Sequence, residues 1–128
     1  MRLSLFTLVV PSYEAGIAAY VGQMGFTLIE DTPLDPPKRW VVVAPDPVAP
    51  PQLLLAAAAV KPQRDAIGAQ TGGRVMGFLE TDDFAFDHAK LTASGIRFLE
   101  EPREERYGTV AVFEDPFGNR WDLVQPAG

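Results

Sequence analysis

Leu3 to Val10 is apolar almost throughout and rich in β-branched residues, which predicts a strand covered on both faces. Ser12 then supplies a helix N-cap. Ile17, Tyr20, Val21 and Met24 recur at i, i+3, i+4 and i+7, a single apolar stripe, and Gly25 offers the left-handed residue that stops a helix. Three strands are predicted next: Phe26 to Asp31, Arg39 to Ala44 beyond the Pro-rich loop Thr32 to Lys38, and one around Gln52 to Ala57. The order is βαβββ.

The same order returns after a connector. Ala56 to Ala59 and Lys61 to Gln70 suit a strand end and a short helix or flexible link, and Gly72-Gly73 is a hinge signal lacking the Lys-Ser/Thr of a phosphate loop. Val75 to Glu80 predicts a strand. Asp83 caps a helix with the stripe Phe84, His88 and Leu91, and Gly95 closes it. Ile96 to Glu101, Tyr107 to Glu114 and Asn119 to Gln125 are three more strands, the last two joined by the tight turn Asp115-Pro116-Phe117-Gly118-Asn119. Gly25 to Asp31 lies over Gly95 to Glu101 at a constant offset of 70. A βαβββ unit of ~60 residues is marginal alone, so two are expected to share one domain. The expected fold is α+β: modules 3–59 and 74–126, joined by 60–73 within a single domain 1–128, forming curved mixed sheets around a cleft. That cleft is the expected binding site.

Composition narrows the chemistry. Among 128 residues, 11 Lys and Arg face 17 Asp and Glu for a net charge of −6, the wrong sign for gripping nucleic acid. An apolar fraction of 47% suits a folded globule, and the absence of cysteine removes disulfides, thiolate metal sites and a Cys nucleophile. The longest apolar run, Leu53 to Val60, is eight residues, against ~20 for a membrane span. Leu3 to Val10 imitates a signal peptide, but Pro11 and Glu14 interrupt it, so a cytoplasmic protein is expected.

The doubled βαβββ pattern resembles the vicinal oxygen chelate superfamily of glyoxalases, extradiol dioxygenases and bleomycin resistance proteins. The likeness spans Leu3 to Gln125 and is carried by Thr7 to Ala15, the Gly25-Phe26 helix exit, Thr81-Asp82-Asp83-Phe84 and Asp115-Pro116-Phe117-Gly118-Asn119-Arg120-Trp121-Asp122-Leu123. Family enzymes hold a divalent metal with one ligand from the first and one from the last strand of each module. The resemblance places the first-strand ligands on Leu5 and Met76, neither able to bind a hard cation, and the last-strand ligands on Asp122 and on one residue of Gln52-Leu53-Leu54-Leu55, where no register gives a carboxylate or imidazole and only Gln52 offers a donor. With one histidine in the chain, no catalytic metal and no other cofactor is expected.

Strand alternation puts Asp122, Arg120 and Val124 on one face and Met76, Phe78 and Glu80 on one face. Asp122, Glu80 and Arg120 would then be the polar groups of an otherwise apolar site including Leu5. The alternative is a cross-strand ion pair of Arg120 with Glu80 or Asp122. Trp40 and Tyr107 begin equivalent strands, where they either close over a flat or cationic ligand or serve core packing or a dimer contact. His88 takes the place of Ile17 and is expected to pack. The charged run Glu100 to Arg106 is expected to be a solvated loop. The favoured function is binding of a small molecule, with sequestration of a flat or cationic compound, by a homodimer. Alternatives are a metal-dependent lyase, isomerase or dioxygenase, and a metal-free enzyme using Asp122 or Glu80 as base with Arg120 steadying an enolate.

Overall fold

The computed structural model describes residues 1–128, which divide into two compact units, Met1–Ile67 and Gly68–Gly128. In the first, β1 (Leu5–Val10), β2 (Thr27–Pro33), β3 (Arg39–Ala44) and β4 (Gln52–Ala57) form a mixed sheet in the order β1-β4-β3-β2. β1 runs parallel to β4 and the other pairs are antiparallel. Leu8, Val10, Val41, Val43, Leu53 and Leu55 point to one face and are buried there. Helix α1 (Tyr13–Ile17) covers that face, capped by the Ser12 hydroxyl, which accepts from the Ala15 N–H at 3.1 Å.

α1 continues as a π-helix over Ala18–Gln23. The extra residue per turn rotates the expected stripe: Gly16, Ala19, Tyr20 and Met24 are buried, while Ile17 and Val21 are only half-buried. Gly16 lets the helix approach closely, because a Cβ there would stand 3.0 Å from Val10. The chain leaves through Gly25, at φ 79°. Tyr20 meets Phe26 edge-on, with ring centres 5.5 Å apart. α2 (Lys61–Ala66) completes the unit.

The second unit holds β5 (Val75–Glu80), α3 (Phe84–Ala93), β6 (Arg97–Phe98), β7 (Arg103–Glu105), β8 (Gly108–Glu114) and β9 (Arg120–Pro126). Its sheet runs β5-β9-β8-β6, with β7 also pairing β8. Ala111, Phe113, Trp121 and Leu123 form the buried face with Phe84, Leu91 and Ile96. The Asp83 carboxylate accepts from the Phe86 N–H at 3.1 Å and the Gln125 side chain from the Phe84 N–H at 2.8 Å, so α3 starts with both donors satisfied. The Asp115 carboxylate, 2% exposed, accepts from the Phe117 and Asn119 N–H groups and from the Asn119 amide at 2.8–2.9 Å, so this motif shapes a turn.

Two expectations need correction here. The strand expected over Ile96 to Glu101 is interrupted: the Leu99 N–H still donates to the Val112 carbonyl, but the Val112 N–H is taken by the Glu100 carboxylate at 2.9 Å. The charged run is no plain loop, since Arg103–Glu105 resumes pairing with β8.

Candidate functional site

In the first unit, the carboxyl ends of β1 and β4 and the amino end of β3 surround a cavity of about 940 Å³. One wall is Leu54 to Ala59 of β4 and its extension. The Pro11 to Glu14 turn, Leu34, Pro37 and Trp40 supply the others. The wall is hydrocarbon because the open face of β4 carries Leu54 and Ala56, in register with Thr7 and Val9 of β1. Trp40 lines the cavity and is 37% exposed.

An ion network built on Arg39 fixes the rim. Its guanidinium donates to Asp31 from Nε at 3.1 Å and Nη2 at 2.7 Å, and from Nη1 to Glu14 at 2.5 Å. The same group lies 5.1 Å from the Tyr13 ring centre, and the Arg39 N–H donates to the Tyr13 hydroxyl at 3.1 Å. The hydrogen bond from Arg39 lowers the Asp31 carboxyl below its ordinary range. The Glu14 carboxyl is lowered by a backbone N–H and then by Arg39. Glu14 and Arg39 of the lining are paired with each other and Lys38 is its other charged residue, while hydrocarbon and aromatic surface makes up most of the wall.

The open face of the second unit differs. A bulge between Val75 and Gly77 shifts β5 by one residue, so Phe78 pairs with Asp122 and Glu80 with Val124, while Val112 flanks Asp122 from β8. The Asp122 Oδ1 atom is buried without a hydrogen-bond partner. Burial raises this carboxyl above its ordinary range; Arg103 opposes the rise and Glu100 adds to it. Arg103 itself donates to Glu100 at 2.8 Å and Glu105 at 2.6 Å. Burial pushes Glu100 up, but hydrogen bonds from Arg103 and the Val112 N–H outweigh it and leave the carboxyl lowered.

The sequence-predicted residues therefore divide. Leu5 and Trp40 belong to the first unit, and Leu5, paired with Gln52, stands outside the cavity lining. Phe78, Glu80 and Asp122 do share a face, but Met76 sits in the bulge and leaves their alternation. Arg120 is opposite Val75 and Glu114, and the ion pairs of the unit run elsewhere: Glu114 to Arg97, and Arg103 to Glu100 and Glu105. The cation nearest Asp122 in effect is Arg103, which the mixed-charge run concealed. Tyr107 precedes β8, is 57% exposed and helps hold Arg103. His88 packs between Phe84 and Phe98, with ring centres at 5.6 and 4.0 Å.

The strands also locate the family's metal-ligand places. β4 and β9 each bury their second and fourth residues, so Gln52 matches Arg120 and Leu54 matches Asp122. The last-strand place of the first module is thus Leu54, within the expected stretch Gln52 to Leu55. Leu5, Leu54, Met76 and Asp122 contain one carboxylate, and nowhere do three or more His, Asp or Glu side chains assemble as a metal cluster. This donor set does not fit a divalent ion. No helix is long and apolar enough to cross a membrane.

Comparison with known proteins agrees with this architecture. An uncharacterized protein of Shewanella frigidimarina (strain NCIMB 400) is 51% identical over 119 residues, covering 92% of this chain and 88% of its own length. The crystal structure of TnmS3, an antibiotic binding protein from Streptomyces sp. CB03234, matches with a TM-score of 0.78 at 30% identity, covering 99% of this chain and 97% of TnmS3. UcmS2 matches with a TM-score of 0.83 at 26% identity, covering 97% of each chain. A family model described as Glyoxalase/Bleomycin resistance protein/Dioxygenase superfamily matches residues 2–123, and the chain belongs to that superfamily.

Proposed function

We propose that this protein binds a flat, largely apolar small molecule in the cavity of the Met1–Ile67 unit and does so without a metal. The observation that carries the reading is the cavity itself: about 940 Å³, walled by Leu54 to Ala59 and lined by Trp40. A planar ring system stacked on the indole would gain apolar burial and ring contact without having to break the Arg39 network. The relation to TnmS3, an antibiotic binding protein, supports the same class of function.

Thermal unfolding with a panel of flat polycycles such as acridine, anthracene and flavone tests this reading. A compound at 100 times its Kd adds ~2.7 kcal/mol, a rise of roughly 10 °C for a chain of this size. Trp40→Ala should abolish most of the rise. A panel without effect, or a rise indifferent to Trp40→Ala, overturns the proposal.

We further infer that the protein acts as a homodimer. β2 supports this as an outer strand of its sheet, with Leu28 and Ile29 40% and 37% exposed. Sedimentation at micromolar concentration should show a dimer, and a monomer there refutes the inference.

A further inference from the structure

We propose that the Asp122 face of the Gly68–Gly128 unit is a second binding site, one for a protonated amine, with the ammonium on Asp122 and its hydrocarbon body on the Phe78 ring. This goes beyond the cavity reading and stands without it.

The first ground is the buried Asp122 Oδ1, which has no hydrogen-bond partner. A buried acceptor left empty is costly, so a folded protein that keeps one gains when a donor arrives. The second ground is that Arg103, the cation whose charge acts on Asp122, is already engaged by two carboxylates. Arg103 is bound at 2.8 Å to Glu100 and at 2.6 Å to Glu105. Arg120 starts β9 as an exposed residue in register with Val75 and Glu114.

The third ground is the neighbouring surface. Phe78 is the register partner of Asp122 on the adjacent parallel strand and is 69% exposed. An aromatic face beside a carboxylate suits an ammonium twice over, through charge pairing and cation–π attraction. Val112 and Val124 supply apolar flanks, and Glu80 on the same face adds negative charge. An anion would meet Asp122 and Glu80 unfavourably. A single carboxylate at the family's metal place matches the single charge and N–H donors of an ammonium, where a divalent ion needs more ligands.

Amide-resolved NMR titration of the full chain at neutral pH distinguishes these ligand classes. The probes are 2-naphthylmethylamine, 2-naphthylmethanol and 2-naphthoate, which share a ring and differ in charge. The amine should move the Phe78, Val112 and Asp122 resonances and bind at least about tenfold more tightly than the alcohol, while the carboxylate leaves them in place. Asp122→Asn should weaken the amine about tenfold and Phe78→Ala severalfold. Trp40→Ala should leave it unchanged, which separates this site from the cavity. Equal binding of amine and alcohol, shifts confined to other residues, or full amine affinity in Asp122→Asn overturns the proposal. Should Asp122→Asn not fold, the comparison of amine with alcohol on the unmodified protein decides alone.

Discussion

The two units repeat one framework and diverge on one face. β4 and β9 bury the same positions, with Leu53 and Leu55 matched by Trp121 and Leu123. Gly25 and Gly95 end the two helices with positive φ. On the open face the matched pairs are Leu54 with Asp122, Thr7 with Phe78 and Val9 with Glu80. The first unit offers hydrocarbon there and pairs Arg39 with Glu14 and Asp31. The second keeps an unpaired carboxylate beside an exposed ring. Core positions are constrained by close packing, whereas an open face is constrained by what it meets, so duplication preserved the former and freed the latter.

The largest test of this comparison lies in the core. Gly77 matches Phe6 of the other unit, and each faces a partner of opposite size: Trp121 across from Gly77, Leu53 across from Phe6. A Cβ on Gly77 would come within 2.5 Å of the buried Trp121 ring. Gly77→Val should therefore cost about 3 kcal/mol in urea unfolding through overpacking. If the large and small residues trade places between strands, Gly77→Phe combined with Trp121→Leu should lose less than the sum of its two single changes. Additive losses would show that the two sheets do not solve the same packing problem.

A smaller effect comes from exchanging the open-face residues. Leu54→Asp puts a carboxylate into half-buried hydrocarbon and should cost about 2 kcal/mol. Asp122→Leu gives the second unit the residue of the first and should raise stability by about 1 kcal/mol, since it removes a desolvated, unpaired oxygen. Chemical denaturation at neutral pH measures both. If Asp122→Leu destabilises the protein, Asp122 is structural and the contrast between the two faces fails.

The features written locally were legible in the sequence. Arg39–Ala44 and Gln52–Ala57 are strands with the bounds their apolar runs predict, and Ser12, Asp83, Gly25 and Gly95 cap and stop helices as their chemistry requires. What escaped depends on distant partners. The π-helix over Ala18–Gln23 and the β5 bulge each alter a period by one residue, and periodic reading assumes a constant period. β7 is Arg-Glu-Glu, with no apolar residue to betray a strand. The Arg39 network joins residues 25 and 8 positions apart in the chain, and Glu100 reaches the Val112 N–H across 12. Of the site, Trp40, Phe78, Glu80 and Asp122 could be nominated from pattern. Arg103 could not, because mixed charge in a Pro-containing run looks like solvent-exposed loop.

The smallest expected effect separates the units by pH. Burial raises the Asp122 carboxyl, so the folded chain holds a proton where the unfolded chain, near the ordinary aspartate value of ~3.9, has released it. Its contribution to stability is greatest below that value and is lost as pH rises through the folded value. The deficit then persists at neutral pH. Asp122→Asn should accordingly stabilise the protein at pH 7 and lose that advantage as pH falls towards 4. Asp31 has the opposite sign: Arg39 lowers its carboxyl, so its contribution is present above the ordinary value and lost as pH falls through the folded one. Asp31→Asn should destabilise at pH 7 and become neutral in acid. Thermal unfolding of both variants between pH 2 and 8 should give differences from the unmodified protein that converge at low pH from opposite sides. Two curves of the same sign would mean that Asp122 is compensated as fully as Asp31, and the carboxylate would then have nothing left to offer an amine.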